Sequence, residues 1–562
     1  MPNAHKPWID GHTIPSALAE TVRQFPKRDA LVFPKLGIRW NYEEFAHRTE
    51  AVARSLLAID VKPGEHLGIW ATNWPEWILT QFAAASIGAV LVNVNPAYRV
   101  HELAYVLEQA DIVALVLTDT FKSTDYETIV AGLIPDLDSC PKGKPLTVPR
   151  LPKFRQLVSI KDSPKFGGIQ SWSEFLKRGE GIAPAAVHEI SRQLHAQDPV
   201  NIQYTSGTTG APKGAMLSHS NILHNAFYVG DRMRITEQDR VAIPVPFYHC
   251  FGCVMGIMMC SLYGAAMVVP AESFDPEDTL DAVERERCTA LYGVPTMFNA
   301  EIHSPSFASR DFQSLRTGIM AGSPCPIELM RQVTSRMNLS EMTIAYGLTE
   351  ASPVITQTET TEPLEIRVTT VGKPIPGVEV KLVDPVTEEE TSDNQPGELW
   401  ARGHGIMIGY YNKPEATAQI ITPDGWLKTG DLAQLTPTGH YRITGRIKDM
   451  IIRGGENVYP REIEEFLITH PMIREVQVVG LPDQHYGEQI SAWIILKSKD
   501  SIDEAELKEF CKRNIAHYKV PRYFVFVDEF PLTVTGKVQK FRLRELGITR
   551  FQLHDAAKTE TA

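Results

Sequence analysis

The run Tyr204-Thr-Ser-Gly-Thr-Thr-Gly-Ala-Pro-Lys-Gly-Ala-Met216 concentrates hydrogen-bond donors in one place. Thr205, Ser206, Gly207, Thr208, Thr209 and Lys213 lie within nine positions. Glycines let backbone N–H groups turn toward one point, and hydroxyls and an ammonium add donors to it. The ligand that suits such a loop is a polyphosphate. A Walker A loop needs Gly-x-x-x-x-Gly-Lys opening a helix. The spacing here is Gly207-x-x-Gly210-x-x-Lys213. Strands are expected at Val200–Tyr204 and Ala215–Leu217, with a helix only near Ser220–Asn221, so the loop joins strand to strand.

Six further segments, in five groups, carry chemistry. Pro246-Phe-Tyr-His-Cys-Phe-Gly252 puts His249 after a strand end, where α/β proteins place ligand groups. Ala321-Gly-Ser-Pro324 and Tyr346-Gly-Leu-Thr-Glu350 follow apolar strands. Their glycines admit a flat base, Tyr346 can stack on one, and Glu350 is a carboxylate suited to magnesium beside phosphate oxygens. Thr429-Gly-Asp431 offers an acceptor for two ribose hydroxyls. Gly445–Pro460 carries Arg446, Lys448, Arg453, Gly454 and Gly455. Pro531-Leu-Thr-Val-Thr-Gly-Lys537 presents a lysine on a turn. Each has a bland alternative: a packed histidine, a loop glutamate, a turn aspartate, a solvated basic turn, a solvated lysine.

The elements that must position these residues follow from pattern. Residues 13–120 alternate helix and strand, with strands at Ala30–Phe33, His66–Ile69, Ala89–Val94 and Ile112–Leu117, and helices at Asn41–Asp60, Trp74–Ile87 and Glu102–Ala110. That pattern means a parallel sheet with crossover helices. Residues 121–198 read as a proline-rich peripheral excursion. A second parallel αβ unit follows, through Val241–Pro246, Thr279–Arg287, Ala290–Tyr292, Ile327–Met337 and Thr343–Tyr346. From 365 to 445, short strands and turns give an all-β, barrel-like subdomain. The last stretch is a compact α+β unit, with Pro460 opening a helix to His470 and Ser501-x-x-Glu504 read as a capping box. The expected fold class is α/β: a large N-terminal domain over 1–446, then a small mobile α+β domain over 447–562.

A chain of 562 residues needs several domains. A formal charge of −12 argues against nucleic acid as a partner. The seven cysteines are scattered, which fits a reducing compartment and a cytoplasmic location; Cys250-x-x-Cys253 lacks the second pair that zinc needs and reads as packing. The N-terminus has no h-region, so no secretory signal is expected. Phe251–Pro270 is uncharged and long enough to span a bilayer. Its break at Tyr263-Gly264 divides it instead into a buried helix and a strand, Met267–Val269.

Taken together and in order, Tyr204–Gly214, Pro246–Gly252, Tyr346–Glu350, Gly397-Glu398-Leu399, Thr429–Asp431, Gly445–Pro460 and Thr535-Gly536-Lys537 resemble the adenylate-forming enzymes, nearest to medium-chain fatty acyl-CoA synthetases. The likeness runs from about residue 15 to 545. It implies activation of a carboxylic acid by ATP, then transfer to CoA. It assigns Thr205–Thr209 and Lys213 to the β- and γ-phosphates, Thr349 to the α-phosphate, Glu350 to Mg2+, Asp431 and Arg446 to the ribose, and Gly322, Ser323 and Tyr346 to the adenine. Lys537 would bridge substrate carboxylate and α-phosphate. Lys448 takes the hinge position, where many relatives carry aspartate. Arg453, Gly454 and Gly455 would lie near CoA, and His249 would gate the site. Phe251, Cys253, Gly256, Val294, Met297 and Met320 would form the acyl pocket, with Gly252 and Gly256 leaving room. No aspartate for a substrate amino group stands in Phe247–Gly256, so an aliphatic acid is favoured. The expected partners are fatty acid, ATP and CoA, without a transmembrane segment; peripheral membrane contact and a homodimer stay open. The alternative is an acyl-AMP ligase loading a carrier protein; a luciferase-type oxygenase and a non-catalytic binding protein are more distant rivals.

Overall fold

Short, mostly apolar runs form the central strands of two largely parallel sheets, as buried strands do when helices cover both faces. The computed structural model describes residues 7–141, 143–205, 212–323, 325–391, 395–453, 456–498, 502–533 and 537–554. By its contacts the chain divides into two compact units, Met1–Glu379 with Ala401–Leu427, and Val380–Trp400 with Lys428–Ala562.

The first unit holds both large sheets. The seven-stranded one runs Gly409–Tyr410, Lys213–Ser218, Pro199–Thr205, Val90–Asn93, His66–Trp70, Ile112–Leu117, Gln156–Ser159. The last five are parallel neighbours, and Lys213–Ser218 is antiparallel to both of its own. The nine-stranded sheet is parallel from Glu341–Gly347 through Thr317–Ala321, Ala290–Gly293, Arg240–Ala242 and Ala266–Val268 to Asp29–Phe33. Its outer strands are antiparallel.

Two placements differ from the expected order. Asp29–Phe33 pairs with Ala266–Val268 and so joins the second sheet, not the first. Local pattern specifies a strand but not its partner. The excursion is also more than peripheral: Gln156–Ser159, all four residues buried, edges the seven-stranded sheet. Helix Tyr42–Ala58 starts where its chemistry says, with Asn41 and Glu44 forming a capping box. The uncharged run folds as a π-helical stretch, Phe251–Met258, continued by the helix Met259–Tyr263 and the strand Ala266–Val268. Gly264 stops the helix at φ +68°, where a Cβ would stand 2.5 Å from Cδ2 of Phe25. Among the described residues, no helix is long and apolar enough to cross a membrane.

In the second unit a four-stranded sheet runs Val378–Val383, Gly397–Gly403, Leu427–Leu435, Tyr441–Arg446. Among the described residues its strand order is linear. Contacts group most of it with the carboxy-terminal segment. Helices at Leu364–Thr369 and Pro414–Ile420 interrupt the stretch read as all-β. The carboxy-terminal sheet centres on Gly487–Leu496, with Ile473–Asp483 antiparallel and Tyr523–Phe526 parallel to it. Pro460 opens its helix in the first turn. The next helix, Glu504–Asn514, is capped by Asp503 with Glu506, two positions beyond the Ser-x-x-Glu pattern. Both patterns fit the same stretch, and Ser501 lies outside the described residues.

Two histidines, His219 buried and His404 half-buried, give the first unit a pH-dependent stability. His219 Nδ1 accepts the N–H of Ile14 at 3.1 Å, and burial pushes its pKa from 6.5 down to about 4. Burial does the same to His404, whose Nε2 lies 2.9 Å from the carbonyl of Pro376. The unfolded chain takes up these protons near pH 6.5, and the folded chain only near pH 4. Stability therefore falls as pH drops through that window, by up to about 1.4 kcal/mol per pH unit for each ring. Urea midpoints at pH 7, 6 and 5 are expected to fall, and His219→Asn is expected to flatten that fall.

Candidate active site

The hairpin of Pro199–Thr205 and Lys213–Ser218 pairs Thr205 with Lys213, so the donor loop leaves from one strand end and returns to the next. The helix after it begins at His219 behind an Asn221–Ser218 capping box. Ser206, Gly207, Thr208 and Thr209 lie outside the described residues. Lys213 Nζ stands 5.1 Å from the ring centroid of Tyr410. On the other side of the same residue, the Tyr410 hydroxyl donates to Glu350 Oε1 at 2.6 Å. Burial, and then the Glu350 charge, hold the Tyr410 pKa far above its ordinary value, so the phenol stays a donor. Glu350 is 8% exposed and sits in the helical turn Thr349–Ala351. Its carbonyl accepts from Met407 N–H at 2.9 Å.

Thr349 ties this group to the histidine segment. Its Oγ1 lies 3.8 Å from Cys250 Sγ. His249 Nδ1 accepts from Phe251 N–H at 3.2 Å, which leaves Nε2 to carry the proton of the neutral ring. Cys250 and Cys253 are thiols outside any disulfide, buried in the apolar core. Tyr346 pairs with Thr356 one strand away, and Gly322 and Ser323 follow the neighbouring strand Thr317–Ala321.

The expected acyl wall is only partly assembled. Phe251, Cys253, Val294 and Met297 share one core cluster, and the Phe251 ring stacks on Tyr292 at 5.6 Å. Met320 does not join them: strand alternation sends Ile319 and Ala321 to that side, and Met320 to the opposite core beside Phe298 and Leu329. Nor do the glycines leave room. A Cβ at Gly252 would stand 2.3 Å from the Pro246 carbonyl oxygen, and one at Gly256 3.0 Å from Cγ2 of Ile243. They let the helix close on its neighbours.

The second unit holds the remaining candidates. Asp431 and Arg446 face each other across a hairpin, with Arg446 Nε 2.9 Å from Asp431 Oδ1. The aspartate side chain is 8% exposed and the arginine 52%. Glu398 steadies the turn before Asp431: Oε1 accepts from Gly430 N–H and Oε2 from Trp400 Nε1, both at 2.8 Å. Lys448 lies in the short helical turn Ile447–Asp449. Arg453 donates to Gln489 Oε1 at 2.9 Å and to the Tyr518 carbonyl at 2.7 Å. Gly454 and Gly455 lie outside the described residues. Lys537 closes a turn with Thr533: its N–H donates to Thr533 Oγ1 at 3.0 Å, and its carbonyl accepts from Thr533 N–H at 2.7 Å.

Sequence reasoning missed Tyr410 and the role of Glu398. Tyr410 follows Gly409 in a stretch whose spacing signals nothing, and only the sheet brings it to Glu350. A buried carboxylate bound by a neutral phenol, with Lys213 over the phenol ring, fits one divalent cation shared with phosphate oxygens.

The profile of the "AMP-binding enzyme" family matches residues 18–411, and that of the "AMP-binding enzyme C-terminal domain" residues 462–537. "Putative acyl-CoA synthetase YngI" of Bacillus subtilis is 48% identical over 541 residues, spanning 96% of this chain and 98% of its own. "Medium-chain acyl-CoA ligase ACSF2, mitochondrial" of Danio rerio is 43% identical over 539 residues, spanning 96% and 88%. The structure of ATP-bound MatB from Rhodopseudomonas palustris matches with a TM-score of 0.81 at 27% identity, covering 95% of this chain and 99% of that one. The chain belongs to the AMP-binding enzyme family. Within that family it is an acid–thiol ligase of the acyl-CoA synthetase branch.

Tyr410→Phe removes the one phenol donor to Glu350 and leaves the ring under Lys213. A hydrogen bond to a charged group contributes about 1.5–3 kcal/mol. Acid-dependent exchange of pyrophosphate into ATP is expected to lose about ten- to hundredfold in kcat/KM for ATP.

Proposed function

We propose that this enzyme joins a medium-chain fatty acid to CoA in two steps, with ATP as co-substrate. In the first, the carboxylate attacks the α-phosphorus of ATP; an acyl-adenylate forms and pyrophosphate leaves. Anion meets anion, so the protein's contribution is positioning and charge neutralisation. In the second, the CoA thiol attacks the acyl carbonyl and AMP leaves.

The observation that carries this reading is the buried Glu350–Tyr410 pair, with half-buried Lys213 by the Tyr410 ring and Thr349 next to Glu350 in the chain. On this reading Thr205–Thr209 and Lys213 hold the departing β- and γ-phosphates, and Thr349 contacts the α-phosphate. Glu350 would hold Mg2+, which offsets phosphate charge when bound. Gly322, Ser323 and Tyr346 frame the adenine, and Asp431 with Arg446 orients the ribose. Lys537, a compact point charge, bridges the substrate carboxylate and the α-phosphate. His249 gates the site between acid and thiol, with Arg453, Gly454 and Gly455 toward CoA. Lys448 is the hinge about which residues 447–562 turn between steps. Arg453 gives Nε to Gln489 and Nη1 to the Tyr518 carbonyl, which supports a part in shaping its own turn as well.

The medium-chain acid is supported by the apolar neighbours Phe251, Cys253, Val294 and Met297 and by the relatives' names. The carrier-protein alternative has no comparable support. The direct test is AMP release across straight-chain acids of increasing length, with and without CoA. Sustained release is expected to need CoA and to peak at medium chains. A peak at acetate or at aromatic acids would overturn the substrate; CoA-independent turnover would overturn the acceptor.

Two variants test the assignments. Lys537→Ala is expected to abolish pyrophosphate exchange while transfer from supplied acyl-adenylate to CoA stays largely intact; normal exchange would refute the role. Lys448→Pro is expected to impair transfer more than adenylation, and equal loss in both would refute the hinge.

A further inference from the structure

A segment without regular structure must satisfy its backbone polar groups elsewhere. Residues 243–250 run between the strand Arg240–Ala242 and the helical stretch that starts at Phe251. Buried side-chain amides hold much of this turn. Asn73 Nδ2 donates to the Val245 carbonyl at 3.1 Å, and Asn73 Oδ1 accepts from Phe247 N–H at 2.9 Å. One carboxamide thus brackets Pro246. Asn93 Nδ2 donates to the Tyr248 carbonyl at 3.1 Å, and the next residue is His249.

Asn93 belongs to a chain of amides. Its Oδ1 accepts from Asn201 Nδ2 at 2.9 Å, and Asn201 Oδ1 accepts from Gln203 Nε2 at 2.7 Å. Gln203 lies on the strand Pro199–Thr205, two positions before Thr205. Gln203 Nε2 and Asn93 Nδ2 also approach Cys253 Sγ, at 3.4 and 3.7 Å, just past the histidine. These four amides are 2–4% exposed. Asn93 ends the parallel strand Val90–Asn93, and Asn73 follows the end of His66–Trp70. This is the edge of an α/β sheet where ligands bind. Plain packing does not require amides here, since burying one costs free energy unless each group is paired. A paired network instead fixes a single arrangement.

We propose that Asn73 and Asn93 are positioning residues that fix the main chain leading into His249. Through Asn201 and Gln203, Asn93 ties that turn to the strand feeding the loop at 206–211. The turn that carries the histidine and the strand that carries the phosphate loop then keep one register. The proposal rests on the reading of His249 as the gate between acid and thiol. Its signature is therefore a loss in acyl transfer that His249 shares.

The test is a double-mutant cycle of Asn93→Ala with His249→Ala, read in both half-reactions. Val92→Ala is the control: Val92 is fully buried on the same strand and packs in a separate core cluster. Asn93→Ala is expected to slow transfer from acyl-adenylate to CoA on the order of tenfold or more, with pyrophosphate exchange much less affected. In the His249→Ala background it is expected to add little, because the two act through one position. Val92→Ala is expected to lower the melting temperature and slow both half-reactions alike. If His249→Ala leaves transfer intact, the gate reading fails and the clamp fails with it. If His249→Ala impairs transfer but Asn93→Ala adds its full loss, slows both steps equally, or is matched in its split by Val92→Ala, the clamp alone fails.

Discussion

The hydrogen bond from Tyr410 to Glu350 is the interaction on which the first unit's site depends. A buried carboxylate is costly unless it is paired. The phenol, held neutral by burial, supplies Glu350 with a hydrogen-bond donor. Holding that phenol in place takes three distant segments. Tyr410 pairs across the sheet with Ala215, just beyond Lys213. Met407 N–H fixes the Glu350 carbonyl, and Asn221 Nδ2 donates to the carbonyls of His404 and Ile406 in the same loop. The hairpin, the turn at Thr349–Ala351 and the loop at 403–410 are therefore one interlocked object.

The candidate residues of the second unit are organised on their own terms. Asp431 is held opposite Arg446 by strand register and steadied by Glu398 through Gly430. Lys537 is set by a turn closed on Thr533. Both arrangements are set by local register and turn geometry within the second unit.

Much of this was legible in the sequence where local chemistry decides the outcome. The strands around the donor loop, the capped helix after Asn41 and the break at Gly264 are each specified by neighbours within a few residues. Asp431 and Arg446 were read one hairpin apart, and antiparallel register brings such a pair together. Long-range outcomes were not legible. Nothing local says that Asp29–Phe33 crosses to the second sheet, that Tyr410 reaches Glu350, or that Asn93 reaches Tyr248. Met320 failed for a different reason. Its apolar side chain suits either face of its strand, and only the strand's register separates the two cores. Glycines 252 and 256 misled because an absent side chain can mean ligand space or close packing, and here it means packing.

The most direct measurement of the central claim follows oxygen. A medium-chain acid labelled with heavy oxygen in both carboxylate positions is turned over with ATP and CoA, and the products are weighed by mass spectrometry. If the carboxylate attacks the α-phosphorus, one labelled oxygen must leave with AMP and one must remain in the thioester. Unlabelled AMP with label in inorganic phosphate or pyrophosphate would mean attack at another phosphorus, and would contradict the account.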